Sequence, residues 1–220
     1  MNTVESSIAS LVNDDHDVRK KAIKSLSSSG YQDPEELRTI QSLKNPSATD
    51  HNSLEMELQR LPDFDATYIR AGYPTMNSED HANADIAILI DGVVKCKRKG
   101  YLLARLSSYY TWKEDWLKAL DFATAAVLLG DPSTGPGDMV QAVQLLKFAF
   151  SHSELVEDYM HLSTVQASYE LSPEVEMIVN KAVAALVSKY KKEISWSASM
   201  IQKKITDMHQ KAFKKKFSFS

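Results

Sequence analysis

Apolar residues recur at every third or fourth position along most of the chain, the spacing that aligns them on one face of an α-helix. The first such stretch follows Asn2, a predicted N-cap, and the second begins at Asp14 or Asp15 and ends in the serine-glycine segment 27–30. Their apolar stripes are Val4, Ile8, Leu11 and Val12, and then Val18, Ala22, Ile23 and Leu26. The pattern therefore predicts two short amphipathic helices at the start of the chain.

Prolines and an acidic cap delimit the next two predicted helices. Asp33, followed by Pro34, is a predicted N-cap for a helix that ends before Pro46, and a short helix follows at about 50–61. Residues 62–79 interrupt the periodicity with prolines and a glycine. We therefore predict a small N-terminal helical unit at 1–61, a linker at 62–79 and a main helical domain with a basic C-terminal segment at 80–220.

Residues 86–96 are compatible with two structures. Two β-favouring apolar runs flank Asp91-Gly92, which is the form of a small β-hairpin. The same residues also continue a helical stripe as far as Tyr110, and one long helix containing two glycines would explain it. We favour the helix because the flanking segments are helical and two strands alone are only marginally stable.

The remaining periodicity is helical. Helices are predicted at 112–129, from Asp138 to Phe150, from Ser153, from Ser172 to Tyr190 and at about 197–213. The predicted fold class is all-α, with eight to ten helices in a multi-helix bundle or a short helical-repeat-like array.

Two stretches resemble pieces of helical-repeat families. Asp17-Val18-Arg19 with Ala22 and Leu26 resembles the entry to the second helix of a HEAT repeat. The second stretch resembles one tetratricopeptide unit through Leu103, Leu106, Tyr110, Trp116, Ala119, Phe122, Ala126 and Pro132. Each signal occurs once, whereas a solenoid needs about three stacked units, so antiparallel helix pairs in an ordinary bundle are favoured.

Composition is that of an ordinary globular protein: 220 residues, 43% hydrophobic and 25% charged. The single cysteine, Cys96, excludes an internal disulfide and indicates a reducing compartment. We expect no signal peptide, because no basic and then apolar segment opens the sequence, and no membrane span, because the longest apolar run has six residues. A cytoplasmic or nuclear location is therefore expected.

Motifs for catalysis are absent from the sequence. It contains no glycine-rich phosphate loop, no H-E-x-x-H and no cysteine-based zinc set. One titratable cluster, Glu154, Glu157, Asp158 and His161, could direct an acid and a histidine towards a metal, but an acidic helix start explains the carboxylates without a metal and is favoured. We predict no catalytic residue, no metal and no cofactor.

The net charge of −3 conceals a strong asymmetry. Residues 181–220 carry ten lysines against Glu193 and Asp207, a local net charge of +8, whereas the first 180 residues carry 16 basic and 27 acidic residues, or −11. A second basic cluster lies at 95–105. The predicted nucleic-acid-binding residues are Lys95, Lys97, Arg98, Lys99, Arg105, Lys189, Lys191, Lys192, Lys203, Lys204, Lys211, Lys214, Lys215 and Lys216.

Lysines neutralise phosphates and the interleaved aromatic residues can stack on unpaired bases, so we expect a non-enzymatic helical protein that binds a polyanion, and the expected polyanion is nucleic acid. A small viral nucleoprotein or accessory structural protein has this general design, by analogy of size and charge. The alternative is a protein–protein interaction adaptor with a groove around Tyr110, Trp112 and Trp116. Under the polyanion hypothesis, the acidic N-terminal body would be left for self-association or for contact with a protein partner. An anionic membrane surface or an acidic protein would also suit the basic helix.

Overall fold

The computed structural model describes residues 3–33, 79–96, 99–130, 145–146, 149–150 and 173–217. Over these ranges the ordered elements are all helices. In chain order they are α1 (Thr3–Ser10), α2 (His16–Ser29), α3 (Glu79–Lys95), α4 (Gly100–Trp112), α5 (Trp116–Leu129), α6 (Pro173–Lys189) and α7 (Lys191–Phe217). The predicted all-α fold class is confirmed.

Helix α2 has the boundaries that its local sequence dictates. The Asp15 carboxylate accepts hydrogen bonds from the backbone N–H groups of Asp17 and Val18, which satisfies two donors of the first turn. Gly30 ends the helix with φ of 70°, a left-handed conformation that glycine adopts without steric cost. Both ends of the helix therefore agree with the prediction.

Residues 86–95 lie within α3, so the alternative of a β-hairpin at 86–96 is wrong. The favoured long helix also needs correction, because α3 ends at Lys95 and α4 begins at Gly100. Gly92 lies inside α3 and does not interrupt it. The break comes instead where Asp33, from far along the chain, accepts hydrogen bonds from the N–H groups of Lys99 and Gly100.

Helices α4 and α5 form an antiparallel hairpin. The predicted helix at 112–129 begins only at Trp116, because Glu114 has φ of 60° and the Asp115 side chain caps the new helix through the N–H of Lys118. Along the hairpin, Ser107 Oγ donates to the carbonyl of Ala119 at 2.8 Å. The two helices are therefore held together by both a tight turn and a buried side-chain bond.

Helix α5 lies at the centre of the molecule. Every residue from 119 to 129 is buried, and the helix contacts α2, α4, α6 and α7. A helix that is apolar on all sides is stable only when surrounded by other elements. Helix α1 also contacts α3, and α2 contacts α5. Ile8, Ile23 and Leu26 of these two helices, and Leu11 of the turn between them, belong to the same core.

Several predictions fall on residues outside the described ranges. These are the helices predicted at 34–61 and from Ser153, the linker predicted at 62–79 apart from Glu79, which begins α3, and the cluster Glu154, Glu157, Asp158 and His161. Within the helix predicted from Asp138 to Phe150, the described residues Leu145, Leu146, Ala149 and Phe150 are all buried. The proposed boundary between an N-terminal unit and a main domain remains a prediction.

Candidate nucleic-acid interface

Helix α7 presents one buried face and one exposed face. Its buried positions are Ile194, Ser197, Ala198 and Ile201, and Ser197 Oγ lies 2.5 Å from Thr124 Oγ1 of α5. The exposed lysines of the C-terminal region are Lys189, at the end of α6, and Lys191, Lys192 and Lys203 of α7. The side chains of Lys211, Lys214, Lys215 and Lys216 are outside the described set, although the α7 backbone includes these positions.

Lys192, Trp196 and Lys203 lie on the same side of α7, and we call these three residues the lysine row. Lys192 and Lys203 are separated by 11 residues, which is close to three turns of 3.6 residues. Trp196 follows Lys192 by one turn. A further 11 residues places Lys214 at the same register of the α7 backbone. The helix therefore repeats a lysine at intervals of three turns, with an aromatic residue between the first two.

Helix α2 adds a lysine to this surface. Lys20 Nζ lies 4.9 Å from the ring centroid of Trp196, a distance at which a cation is attracted by the face of the indole. Lys24, one turn further along α2, is exposed. Lysines from two helices that are distant in the sequence therefore lie around Trp196. Sequence reasoning missed Lys20, although a basic run at 19–21 is visible there.

Neither acidic residue in the described part of α7 pairs with a lysine of the lysine row. Glu193 is half-buried and Asp207 is exposed, and within the described part of the chain neither forms an ion pair with Lys192 or Lys203. The ammonium groups of Lys192 and Lys203 are therefore open to an external anion.

Lys204, the neighbour of Lys203, points into the molecule. Its Nζ donates hydrogen bonds to the carbonyl oxygens of Val127, Leu128 and Gly130 at 2.7, 2.9 and 3.0 Å. These carbonyls lie at the C-terminal end of α5, where a helix has unsatisfied acceptors and a partial negative charge. Lys204 thus acts as a cap for α5, and its prediction as a surface site residue needs correction.

Lys99 is also internal rather than available to a ligand. It is 4% exposed and its Nζ donates to the carbonyl of Cys96. Burial lowers the pKa of Lys99, an effect that the nearby Asp33 opposes. The prediction of Lys99 as a surface contact therefore needs the same correction as that of Lys204.

Asp33 joins the two predicted basic segments inside the protein. Its Oδ2 accepts from the N–H groups of Lys99 at 2.7 Å and Gly100 at 2.5 Å, and its own N–H donates to the carbonyl of Leu129 at 2.8 Å. Burial raises the pKa of Asp33 to about 6, while those two N–H donors and the charges of Lys99 and Lys204 lower it. The two basic segments do meet, but around an internal carboxylate.

The rest of the segment 95–105 offers little exposed positive charge. Lys95 is exposed and pairs with Asp91 of the same helix at 2.8 Å, and Arg105 is half-buried. Lys97 and Arg98 are outside the described residues. The described part of this segment therefore does not extend the lysine row.

The aromatic groove predicted at Tyr110, Trp112 and Trp116 is largely part of the core. Tyr110 and Trp116 are each 9% exposed, and Tyr110 stacks on Phe122 with 5.4 Å between ring centroids. Trp112 is half-buried and packs against the same core. These three side chains therefore do not line an exposed groove.

A buried charged cluster fixes the position of α2, and the sequence did not reveal it. Asp121 Oδ2 of α5 accepts from Arg19 Nε at 2.8 Å and Arg19 Nη2 at 2.7 Å, and it lies 2.9 Å from His16 Nδ1. Arg19 Nη1 donates to the carbonyls of Asn13 and Asp14. Because Arg19 precedes Lys20 directly, this cluster sets the register at which Lys20 reaches Trp196.

Comparison with known proteins adds no relative: no protein-family model, curated protein or solved structure matches the chain significantly. Among the described helices, none combines the length and the apolar character that crossing a membrane requires. Nor do His, Cys, Asp and Glu side chains in this part of the chain form a group suited to a metal ion.

Proposed function

We propose that the protein binds nucleic acid through the lysine row of α7, with Lys20 and Lys24 of α2 extending the same surface. The observation that carries the proposal is the contact of Lys20 with the half-buried Trp196, because it brings cations of two helices to one aromatic side chain. An exposed cation attracts a phosphate chain over a distance of about a Debye length, and each neutralised phosphate releases counterions.

The chemistry of the surface favours contacts with the backbone of the nucleic acid. All four cations, Lys20, Lys24, Lys192 and Lys203, are lysines, which act as compact point charges. Bidentate reading of a guanine edge is the typical role of arginine, and the described arginines of these two helices are limited to the buried Arg19. The expected binding is therefore strongly salt-dependent and weakly dependent on base sequence.

A salt titration of a labelled oligonucleotide tests this function. The variant K192Q/K203Q removes two exposed charges, so we expect weaker binding and a salt slope reduced by about 1.5, at roughly 0.7 to 0.9 per phosphate contact. The matched control is K113Q/K181Q, which removes two exposed lysines of the turn after α4 and of α6. Equal slopes for the wild type and K192Q/K203Q would overturn the proposal.

Point substitutions are preferable to a truncation at residue 203. A chain shortened there would lose Lys204 and with it the cap of α5, so weakened binding could reflect damage to the core. The same titration is run with vesicles that contain phosphatidylserine. Binding to vesicles but not to the oligonucleotide would contradict nucleic acid as the ligand and assign the lysine row to a membrane surface.

The adaptor hypothesis finds less support. It depended on an exposed apolar groove at Tyr110, Trp112 and Trp116, and two of these side chains are buried in the core. In the described part of the chain, the large hydrophobic residues that are exposed are Val94 and Met177. They lie on different helices, so a charged surface is the stronger candidate.

A further inference from the structure

Trp196 occupies the middle of the lysine row. It is half-buried, with the buried residues Ser197 and Ala198 following it in α7. Lys192 lies about 6 Å before it along the helix axis and Lys203 about 10 Å beyond it, at a rise of about 1.5 Å per residue. The indole is therefore flanked on both sides by exposed cations on the same side of the helix.

The face of the indole is the surface that Lys20 covers. The ammonium of Lys20 lies over the ring, at 4.9 Å from its centroid, and Lys20 itself is half-buried. A lysine side chain is long and flexible, and a cation over an aromatic ring is held no more strongly than a stacked base. Lys20 can therefore leave the ring for a nearby phosphate when another planar group takes its place.

We propose that Trp196 is a stacking platform for one unpaired base, which makes the lysine row selective for single-stranded nucleic acid. This inference rests on the proposed function. In a duplex both faces of each base are covered by its neighbours, so a duplex offers the row only its phosphates. A single strand offers phosphates to Lys192 and Lys203 and, between them, a base to Trp196. The base replaces Lys20 over the indole, and Lys20 becomes a phosphate contact.

Substitutions at Trp196 separate stacking from charge. W196L keeps an apolar side chain against the core but removes the ring, and W196F keeps a ring. We expect W196L to bind a single-stranded oligonucleotide roughly tenfold more weakly than wild type, with duplex binding unchanged. W196F should retain most of the single-strand affinity. W112L is the matched control, because Trp112 is also half-buried and lies on α4, outside the lysine row.

Intrinsic tryptophan fluorescence provides a second measurement. A base stacked on Trp196 should quench the emission of the wild type, and the quenching should persist in W112F and disappear in W196F. Circular dichroism of each variant verifies that the fold is retained.

Failure of this inference differs from failure of the proposed function. If W196L and W112L bind single strands equally well while K192Q/K203Q still lowers the salt slope, the stacking platform is overturned and the polyanion surface stands. If K192Q/K203Q has no effect on binding, the proposed function falls, and the stacking inference falls with it. Equal affinity of the wild type for single strands and duplexes of equal length would also overturn the selectivity.

Discussion

Arg19 of α2 and Asp121 of α5 form an ion pair that is almost completely removed from solvent, with 2.7 Å between Nη2 and Oδ2. Their side chains are 2% and 1% exposed. The pair joins the N-terminal helices to the central helix, and it lies beside Lys20, which reaches the proposed binding surface. The position of that surface therefore depends on a contact in the interior.

Removing one member of this pair should destabilise the protein severely. R19M leaves the Asp121 carboxylate buried without its main partner, so we expect a loss of about 3 to 5 kcal/mol in the free energy of unfolding. Urea unfolding followed by circular dichroism measures it. The double variant R19M/D121L should recover part of the loss, and K95M, which breaks an exposed pair, should change stability by less than about 1 kcal/mol. Similar losses for R19M and K95M would contradict the assignment.

His16 should make stability depend on pH. The hydrogen bond to Asp121 raises the pKa of His16, and burial opposes the increase. A histidine whose pKa is raised by folding stabilises the folded state fully below its unfolded pKa of about 6.5, and the stabilisation is lost as the pH rises through the folded value. We therefore expect the stability difference between wild type and H16Q to shrink as the pH rises above about 6.5 and through the raised folded pKa. A difference that stays constant over this range would exclude a role for His16 ionisation.

Asp33 should contribute to pH dependence with the same sign. Because its folded pKa of about 6 exceeds the ordinary value of 3.8, the folded state binds the proton more tightly than the unfolded state. The stability of wild type relative to D33N should therefore rise as the pH falls from about 7 to about 4. Urea unfolding over that range measures this difference.

The variants D33N and D33A separate the charge of Asp33 from its hydrogen bonds. D33N keeps an oxygen acceptor for the N–H groups of Lys99 and Gly100, whereas D33A leaves both without one and should cost about 1 to 2 kcal/mol at neutral pH. If D33N proved as destabilising as D33A at neutral pH, the capping function assigned to Asp33 would be wrong.

Substitution of Lys204 should lower stability, whereas substitution of Lys203 should weaken oligonucleotide binding. K204M removes three hydrogen bonds to the end of α5, so we expect a loss of about 2 kcal/mol in stability. K203M should leave stability within about 0.5 kcal/mol of wild type and weaken oligonucleotide binding. Thermal unfolding measures the stability of both variants, and the salt titration measures their binding to the oligonucleotide. Equal stability losses would show that the two side chains are not directed differently.

The sequence predicted best those features whose signals are local. Asp15 and Gly30 lie at the ends of α2 and act on backbone groups within a few residues, so the boundaries of that helix could be read directly. The start of α5 was missed because Glu114 adopts a left-handed conformation that no residue type demands. The break before α4 was missed because Asp33, which caps it, lies 66 residues from Lys99.

The candidate site was predictable only in part, for the same reason. The lysines of the C-terminal region were identified by composition, but composition does not distinguish Lys203 from Lys204, and only the rotation of α7 against α5 does. Lys20 was missed because its partner Trp196 belongs to the other end of the chain. The buried pair of Arg19 and Asp121 carried no distinct sequence signal, because Arg19 begins a basic run and Asp121 is a single acid in an apolar stretch.

The adjacent lysines at the centre of α7 have a consequence for how the chain tolerates insertions. Adding one residue after Gln202 would rotate the following part of the helix by about 100° and move Lys203 to the place of Lys204. The end of α5 would still meet an ammonium group, so this cap would be kept after the insertion. The lysine positions of α7 after the insertion would be rotated by about 100° relative to Trp196. The two adjacent lysines thus preserve the cap of α5 after a one-residue insertion, whereas the binding surface is disrupted by it.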